Sequence, residues 1–151
     1  MQAAAIPSSS IPVPSTLALR LGWAGLLPLV VGAALVWLVR ADVHPYAALL
    51  LSTYAAVIVS FLGGIHWGFA MRQAQSSAAL LAWGVVPSLL AWLAVMMPAQ
   101  SALVVHGASL LVCYAVDRRV YPAQGAAAWL TLRFRLSSVA SVSCFVGAAG
   151  A

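Results

Sequence analysis

Ionisable side chains are scarce in this chain, and one of them lies deep in an apolar run. The 151 residues contain two acids, seven basic residues and three histidines. His66 lies beside Trp67 in the apolar stretch that precedes Arg72. An ionisable group at such a depth in a membrane must find a partner or water, which marks His66 as a candidate site. A neutral imidazole hydrogen-bonded to a facing helix would satisfy the same demand, and both interpretations stay open.

A second set of candidates is brought together by the order of the hydrophobic runs. If each run crosses a membrane, one boundary collects these ionisable residues: His66, Arg72, Asp117, Arg118, Arg133 and Arg135. One interpretation is an ion pair in which an arginine neutralises Asp117 and ties the fourth run to the fifth. The other is an anion site in which Arg133 and Arg135 hold the phosphate of a lipid.

Catalytic and metal-binding patterns are missing from the sequence. There are no paired carboxylates, no Ser/His/acid arrangement and no glycine-rich phosphate loop. His106 is expected about 13 Å from the depth of His66 at the helical rise, too far for one mononuclear metal site. Cys113 and Cys144 lie in apolar runs and are typical of small buried residues. We therefore predict no catalytic residues, no metal ligands and no cofactor.

The composition excludes a soluble domain. Apolar residues make up 64% of the chain and charged residues 6%, and the mean hydropathy is +1.04. Such a chain could not cover a water-exposed surface, so it must lie in a lipid bilayer. The arginines punctuate hydrophobic runs and do not form a basic stripe on a polar surface, which argues against nucleic-acid binding.

The hydrophobic runs predict an all-α integral membrane protein with a bundle of about five transmembrane helices. Residues 1–16 are rich in Pro and Ser and are expected to form a disordered lead-in. Residues 17–151 form a single transmembrane domain whose predicted spans are about 17–39, 46–71, 78–97, 102–116 and 133–151. Pro28 and Pro87 lie inside spans and are expected to bend them.

The second span carries small residues at regular spacing. Ala56, Ser60, Gly64 and Gly68 recur every four residues, and Gly63 adjoins them. Small residues allow the backbones of two membrane helices to approach closely. We therefore predict that this small-residue ribbon packs on a neighbouring helix, with Ser60, Gly63, Gly64 and Gly68 as helix-packing residues.

The arginines also predict an orientation. Five spans place six of them on one side of the membrane and leave Arg40 alone on the other. The positive-inside rule then puts the N-terminus in the cytoplasm and the C-terminus outside, and the expected location is a bacterial inner (plasma) membrane.

Several segments resemble one family of small membrane proteins. They are Phe61-Leu-Gly-Gly-Ile-His-Trp-Gly-Phe-Ala70, Leu21-Gly-Trp-Ala-Gly-Leu-Leu-Pro28, Asp117-Arg-Arg119 and Trp129-Leu-Thr-Leu-Arg-Phe-Arg135. They are similar to the domain of unknown function 3429 family, which is related to mitochondrial transmembrane protein 69. The resemblance covers about residues 17 to 145 and implies a multi-span helical protein, without supplying an activity. The chain departs from the family after Arg135, where it is richer in Ser and Gly.

Three functions fit these patterns. The first is a non-enzymatic accessory or assembly factor of a larger membrane complex, because packing residues outnumber chemical groups. The second is a small carrier or channel with His66 in the pathway. The third is a haem- or quinone-linked membrane redox protein. The expected partners are the bilayer, the larger complex and an anionic lipid at the cytoplasmic face.

Overall fold

The regular secondary structure of the described chain is helical. The structure, a computed structural model, describes residues 13–75 and 77–151. Its helices are α1 (Thr16–Ala24), α2 (Leu27–Leu38), α3 (His44–Met71), α4 (Ala78–Val95), α5 (Ala99–Ala123) and α6 (Leu130–Gly150), and a single 3-10 turn (Ala127–Trp129) precedes α6. The predicted lead-in over 1–16 falls largely outside the described residues. The side chain of Ser15 caps α1 by accepting a hydrogen bond from the backbone N–H of Ala18.

The first span is interrupted where a bend is expected. Helix α1 ends at Ala24 and is followed by Gly25, and Pro28 lies in the first turn of α2, where its missing N–H costs no helical hydrogen bond. The hydroxyl of Tyr54, on α3, donates a hydrogen bond of 2.9 Å to the carbonyl of Gly25. A backbone acceptor exposed by the interruption is thereby satisfied inside the bundle, as an apolar environment requires.

Four helical segments are long and apolar enough to cross a membrane, and a fifth helix completes the bundle. The four are 16–38, which joins α1 and α2, and then α3, α4 and α5. Helix α6 has 21 residues and buries mostly small ones, among them Ser141, Cys144 and Gly147. It packs chiefly on α5 and α2, as expected for a helix too polar to face lipid on all sides. The all-α class and the five-helix bundle are therefore confirmed.

Helix α3 is the centre of the bundle. It packs against α2, α4, α5 and α6, and its Leu51 and Val59 are fully buried. At one end of the bundle the indole N–H of Trp37 donates to the carbonyl of Val146 at 3.0 Å. Nearby, Nε2 of His44 donates to the carbonyl of Gly150 at 2.7 Å. These contacts tie α2 and α3 to the last turns of α6.

The fourth and fifth spans differ from the prediction. Helix α5 does not end at 116 but continues through Asp117 to Ala123, so the connection predicted between the spans 102–116 and 133–151 shrinks to a short turn. Arginines are good helix formers and the helix has no reason to stop at them. It stops at Gly125, which has a φ of 71°. The N–H of Ala126 then bonds the carbonyl of Tyr121 at 2.8 Å, a glycine-based helix ending.

The small-residue ribbon lies only partly inside the bundle. Ala56 is buried and Ser60 is half-buried, but Gly64 and Gly68 are exposed. Apart from the backbone of α3 itself, no atom of the described residues lies within 4 Å of a Cβ atom added at Gly64 or Gly68. No other described helix packs on these two glycines, because a spacing of four residues drifts around a helix of 3.6 residues per turn. The ribbon begins inside the bundle and ends on its outer surface.

Helix α3 approaches α4 closely at Gly63. A Cβ atom at Gly63 would collide with the carbonyl oxygen of Gly84 and lie 3.3 Å from Cδ of Pro87, both on α4. Gly84 is in turn covered by the indole ring of Trp67. The two glycines let α3 and α4 pack backbone against backbone.

Candidate functional site

Three ionisable side chains from three helices meet inside the bundle. Nε of Arg133 donates a hydrogen bond of 2.8 Å to Oδ2 of Asp117, and Nη2 of Arg133 lies 2.6 Å from the same oxygen. Nε2 of His66 lies 3.4 Å from the other carboxylate oxygen. His66 and Asp117 are 1% exposed and Arg133 is 8% exposed. We call His66, Asp117 and Arg133 the ion cluster.

Helical periodicity places each member on an inward face. On α5 the buried positions His106, Cys113, Asp117 and Tyr121 are separated by four or seven residues, so Asp117 shares the core face. Arg133 lies in the first turn of α6, four residues before the buried Ser137. Since α3 presents His66 from the same end of the bundle, the three faces converge on one point.

The ion cluster contains the ion pair that was one of the two interpretations of Asp117 from the sequence. Burying a lone carboxylate in an apolar interior is costly, and the guanidinium removes most of that cost by neutralising the charge. Both carboxylate oxygens face a cationic or polar nitrogen of the cluster. The contact ties α5 to α6, and His66 adds α3.

Aromatic rings surround the imidazole of His66. The ring centroids of Phe69, Trp83 and Tyr121 lie 6.2, 6.4 and 6.5 Å from its own. Its Nδ1 donates to the carbonyl of Leu62 at 3.3 Å, in the preceding turn of the same helix. His66 is therefore enclosed by side chains and held by its neighbours, and in this structure it does not face an open path.

The remaining predicted site residues lie outside the ion cluster. The indole N–H of Trp67 donates to the carbonyl of Leu81 at 2.9 Å and ties α3 to α4. Arg72 is exposed at the C-terminal end of α3. Arg135 is exposed and lies beside Trp23 of α1, on a different side of α6 from the buried Arg133. The predicted anion site, in which Arg133 and Arg135 act together, is not assembled.

The sequence did not predict the aromatic rings around His66 or the complete burial of His106. Tyr121 lies one helical turn after Asp117, but the predicted end of α5 at 116 hid that relation. His106 is fully buried, and neither of its ring nitrogens has a hydrogen-bond partner among the residues that the structure describes. Over the same residues, no group of three or more His, Cys, Asp or Glu side chains is placed to hold a metal ion.

The fold and the site define the class of protein. The bundle has four apolar segments of membrane-spanning length. Its few charges are either paired in the core or lie at its ends. These features define an integral membrane protein.

A comparison with family models identifies the family of this chain. The family model described as "Protein of unknown function (DUF3429)" matches residues 14–149, and the chain belongs to this family. It is 44% identical over 84 residues to a protein named Transmembrane protein 69 from Xenopus tropicalis. That match covers 52% of this chain and 32% of the frog protein, so the chain aligns with about a third of that relative's length. No solved structure matches the chain. The resemblance seen in the sequence is confirmed, and the family description names no activity.

Proposed function

We propose that this protein is a non-enzymatic accessory or assembly factor that docks on a larger membrane complex through the outer side of α3. The docking face consists of Val57, Phe61, Gly64 and Gly68, which follow one another at spacings of three or four residues. Helix α3 already packs against four helices of its own chain, yet the described residues leave this side of it uncovered.

The single observation that carries the proposal is the open space at Gly64 and Gly68. Glycine is a poor residue for the interior of a helix, costing about 0.5–1 kcal/mol relative to alanine. Gly63 has a packing reason within the chain, whereas no described residue of another helix lies within 4 Å of a Cβ at Gly64 or Gly68. A Gly-x-x-x-Gly pair on a lipid-facing surface fits the close approach of another transmembrane helix. The partner we propose is therefore a membrane protein that presents a helix with small residues of its own.

The ion cluster supports a non-enzymatic role. Its carboxylate, guanidinium and imidazole contact one another, and three aromatic rings enclose the imidazole. A carrier with His66 in its pathway would need that ring to face water at some stage, and no observation favours such a pathway.

Gentle extraction from the native membrane followed by native mass spectrometry tests the proposal. The wild-type protein should carry a mass excess that matches another polypeptide. Gly64→Leu should lose it, because the added side chain holds the partner helix away. Ala34→Leu is the matched control, since Ala34 is an exposed small residue on α2. A bare wild-type monomer, or equal retention of the partner by both variants, would refute docking through this face.

We also propose that the protein resides in a bacterial inner (plasma) membrane with its N-terminus cytoplasmic and its C-terminus outside. Arg72, Arg118 and Arg119 lie at the ends of α3 and α5, while Arg40 follows α2 at the opposite end of the bundle. Exposed Arg118, Arg119 and Arg135 also support contact with anionic lipid headgroups at the cytoplasmic face.

A further inference from the structure

Two adjoining cavities form a groove along α1, α3 and α6. They share the lining residues Leu21, Gly22, Phe61, Arg133 and Leu136. The wider cavity has a volume of about 480 Å³ and lies beside the ion cluster, next to Tyr121 and Trp129. The narrower one, of about 160 Å³, extends along α2 toward Leu29. Together they have the size of a small-molecule site.

The groove follows from the interruption of the first span. Helix α1 packs on α6, where a Cβ at Gly22 would lie 3.0 Å from Leu136. After Gly25 the chain turns, and α2 packs on α3 and α6. Because α1 packs mainly on α6, a space remains between α1 and α3.

The two cavities differ in their linings. Aromatic rings line the wider cavity, namely Phe61, Phe69, Tyr121 and Trp129. Aliphatic side chains such as Leu26, Leu29 and Ile58 line the narrower one. A planar ring suits the first environment and a hydrocarbon chain suits the second.

Arg133 is the one charged residue that lines either of these two cavities. Its side chain is more than nine-tenths buried, and its Nε and Nη2 lie 2.8 and 2.6 Å from one carboxylate oxygen of Asp117. These contacts use at most two of the five N–H donors of the guanidinium, and buried N–H groups normally find an acceptor. Because Asp117 already neutralises the guanidinium, a neutral oxygen suits the remaining donors better than a phosphate.

We propose that the groove binds an isoprenoid quinone, with the ring in the wider cavity and the chain in the narrower one. A ring carbonyl accepts a hydrogen bond from the guanidinium of Arg133, and the aromatic side chains pack on the ring. The site adjoins the docking face, with which it shares Phe61, and it does not depend on the proposed function.

Competitive photolabelling of the full-length protein in phosphatidylcholine nanodiscs tests this site. The probe is a photoreactive benzoquinone with a ten-carbon chain. Labelling should saturate, map by mass spectrometry to α1, α3 or α6, and be displaced by the same quinone without the photoreactive group. Ala18→Phe should weaken binding about tenfold or more, because Ala18 lines the wider cavity and the added ring fills it. Ala24→Phe is the control, since Ala24 is exposed on the same helix and lines neither cavity.

Two competitors test whether the site recognises the quinone ring. An alkylbenzene with the same chain should bind about tenfold more weakly, since it offers Arg133 no acceptor. Phosphatidylglycerol should not displace the probe. Labelling that does not saturate, or equal binding by Ala18→Phe and Ala24→Phe, would overturn the site. Equal competition by the alkylbenzene or by phosphatidylglycerol would overturn the assignment to a quinone.

Discussion

Asp117 is a charge that the bundle can bury because Arg133 reaches it from the next helix. Its carboxylate is 1% exposed and lies 2.6 and 2.8 Å from two nitrogens of one guanidinium. Replacing one partner of such a pair leaves the other charge buried without compensation. The stability of the protein should therefore be far more sensitive to this carboxylate than to the other acid, Asp42.

Asp117→Asn should lower the free energy of unfolding by about 3–5 kcal/mol, because Arg133 then stays buried opposite a neutral amide. Unfolding in mixed micelles with increasing dodecyl sulfate, followed by far-ultraviolet circular dichroism, measures the change. Asp42→Asn serves as the control, since its contact with Arg40 spans 3.6 Å between largely exposed side chains and should contribute little. Similar stabilities of the two variants would contradict the structural importance of the ion cluster.

For His106 we expect the opposite effect of a substitution on stability. It is fully buried, and its ring nitrogens have no partner among the described residues, a situation that costs about 1–3 kcal/mol for an unsatisfied polar group. His106→Leu should keep or raise the free energy of unfolding in the same assay, because leucine fills a similar volume without polar atoms. A loss of stability would instead show that the imidazole has a bound partner in the native protein.

Helix α3 has two adjacent glycines, Gly63 and Gly64, with different surroundings. Gly63 packs against the backbone of Gly84 on α4, while Gly64 faces open space. The sequence Gly63-Gly64 does not reveal which one packs inside the chain. The answer depends on the exact rotation of the helix, which its neighbours set through contacts distant in sequence.

Gly63→Ala should lower the free energy of unfolding by about 1–3 kcal/mol, because the added methyl group forces α3 and α4 apart. Gly64→Ala should leave it unchanged or raise it, because alanine favours the helix and meets no atom. The same unfolding assay separates the two variants. Equal losses for both would mean that α3 is rotated relative to this structure.

The elements themselves could be read from the sequence to different degrees. The apolar runs of 46–71 and 78–97 correspond closely to α3 and α4, since long hydrophobic segments have a strong signal. The end of α5 was placed too early because Asp117, Arg118 and Arg119 resemble the polar boundary of a span. A helix can continue through a charged residue such as Asp117 when a residue of another helix neutralises it. The sequence around Asp117 does not show that Arg133 is this partner.

At the scale of the whole molecule, the sequence could predict that Asp117 pairs with an arginine but not which one. Arg133 and Arg135 are two residues apart on α6 and therefore lie on different sides of it, one buried and one exposed. The groove between α1 and α3 could not be predicted either, because it depends on the angle at which two short helices separate after Gly25.

The proposed orientation predicts which connections are accessible from outside the cell. Cysteine introduced in place of Ala41, between α2 and α3, should react with a membrane-impermeant maleimide on intact cells. Cysteine in place of Ala74, between α3 and α4, should react only after permeabilisation. Cys113 and Cys144 are buried and should give little background. If only the cysteine at position 74 were labelled on intact cells, the orientation would be the opposite of the one proposed.

The central claim is that another membrane protein covers the outer side of α3, and photo-crosslinking in native membranes tests it most directly. Benzoylphenylalanine in place of Phe61 puts a crosslinking ring on the docking face, one turn before Gly64, at a position that is 65% exposed. The same residue in place of Trp92, which is 62% exposed on α4, is the control. We expect position 61 to crosslink to one defined polypeptide and position 92 to give no such product. Crosslinks to lipid alone from both positions would contradict a docking face on α3.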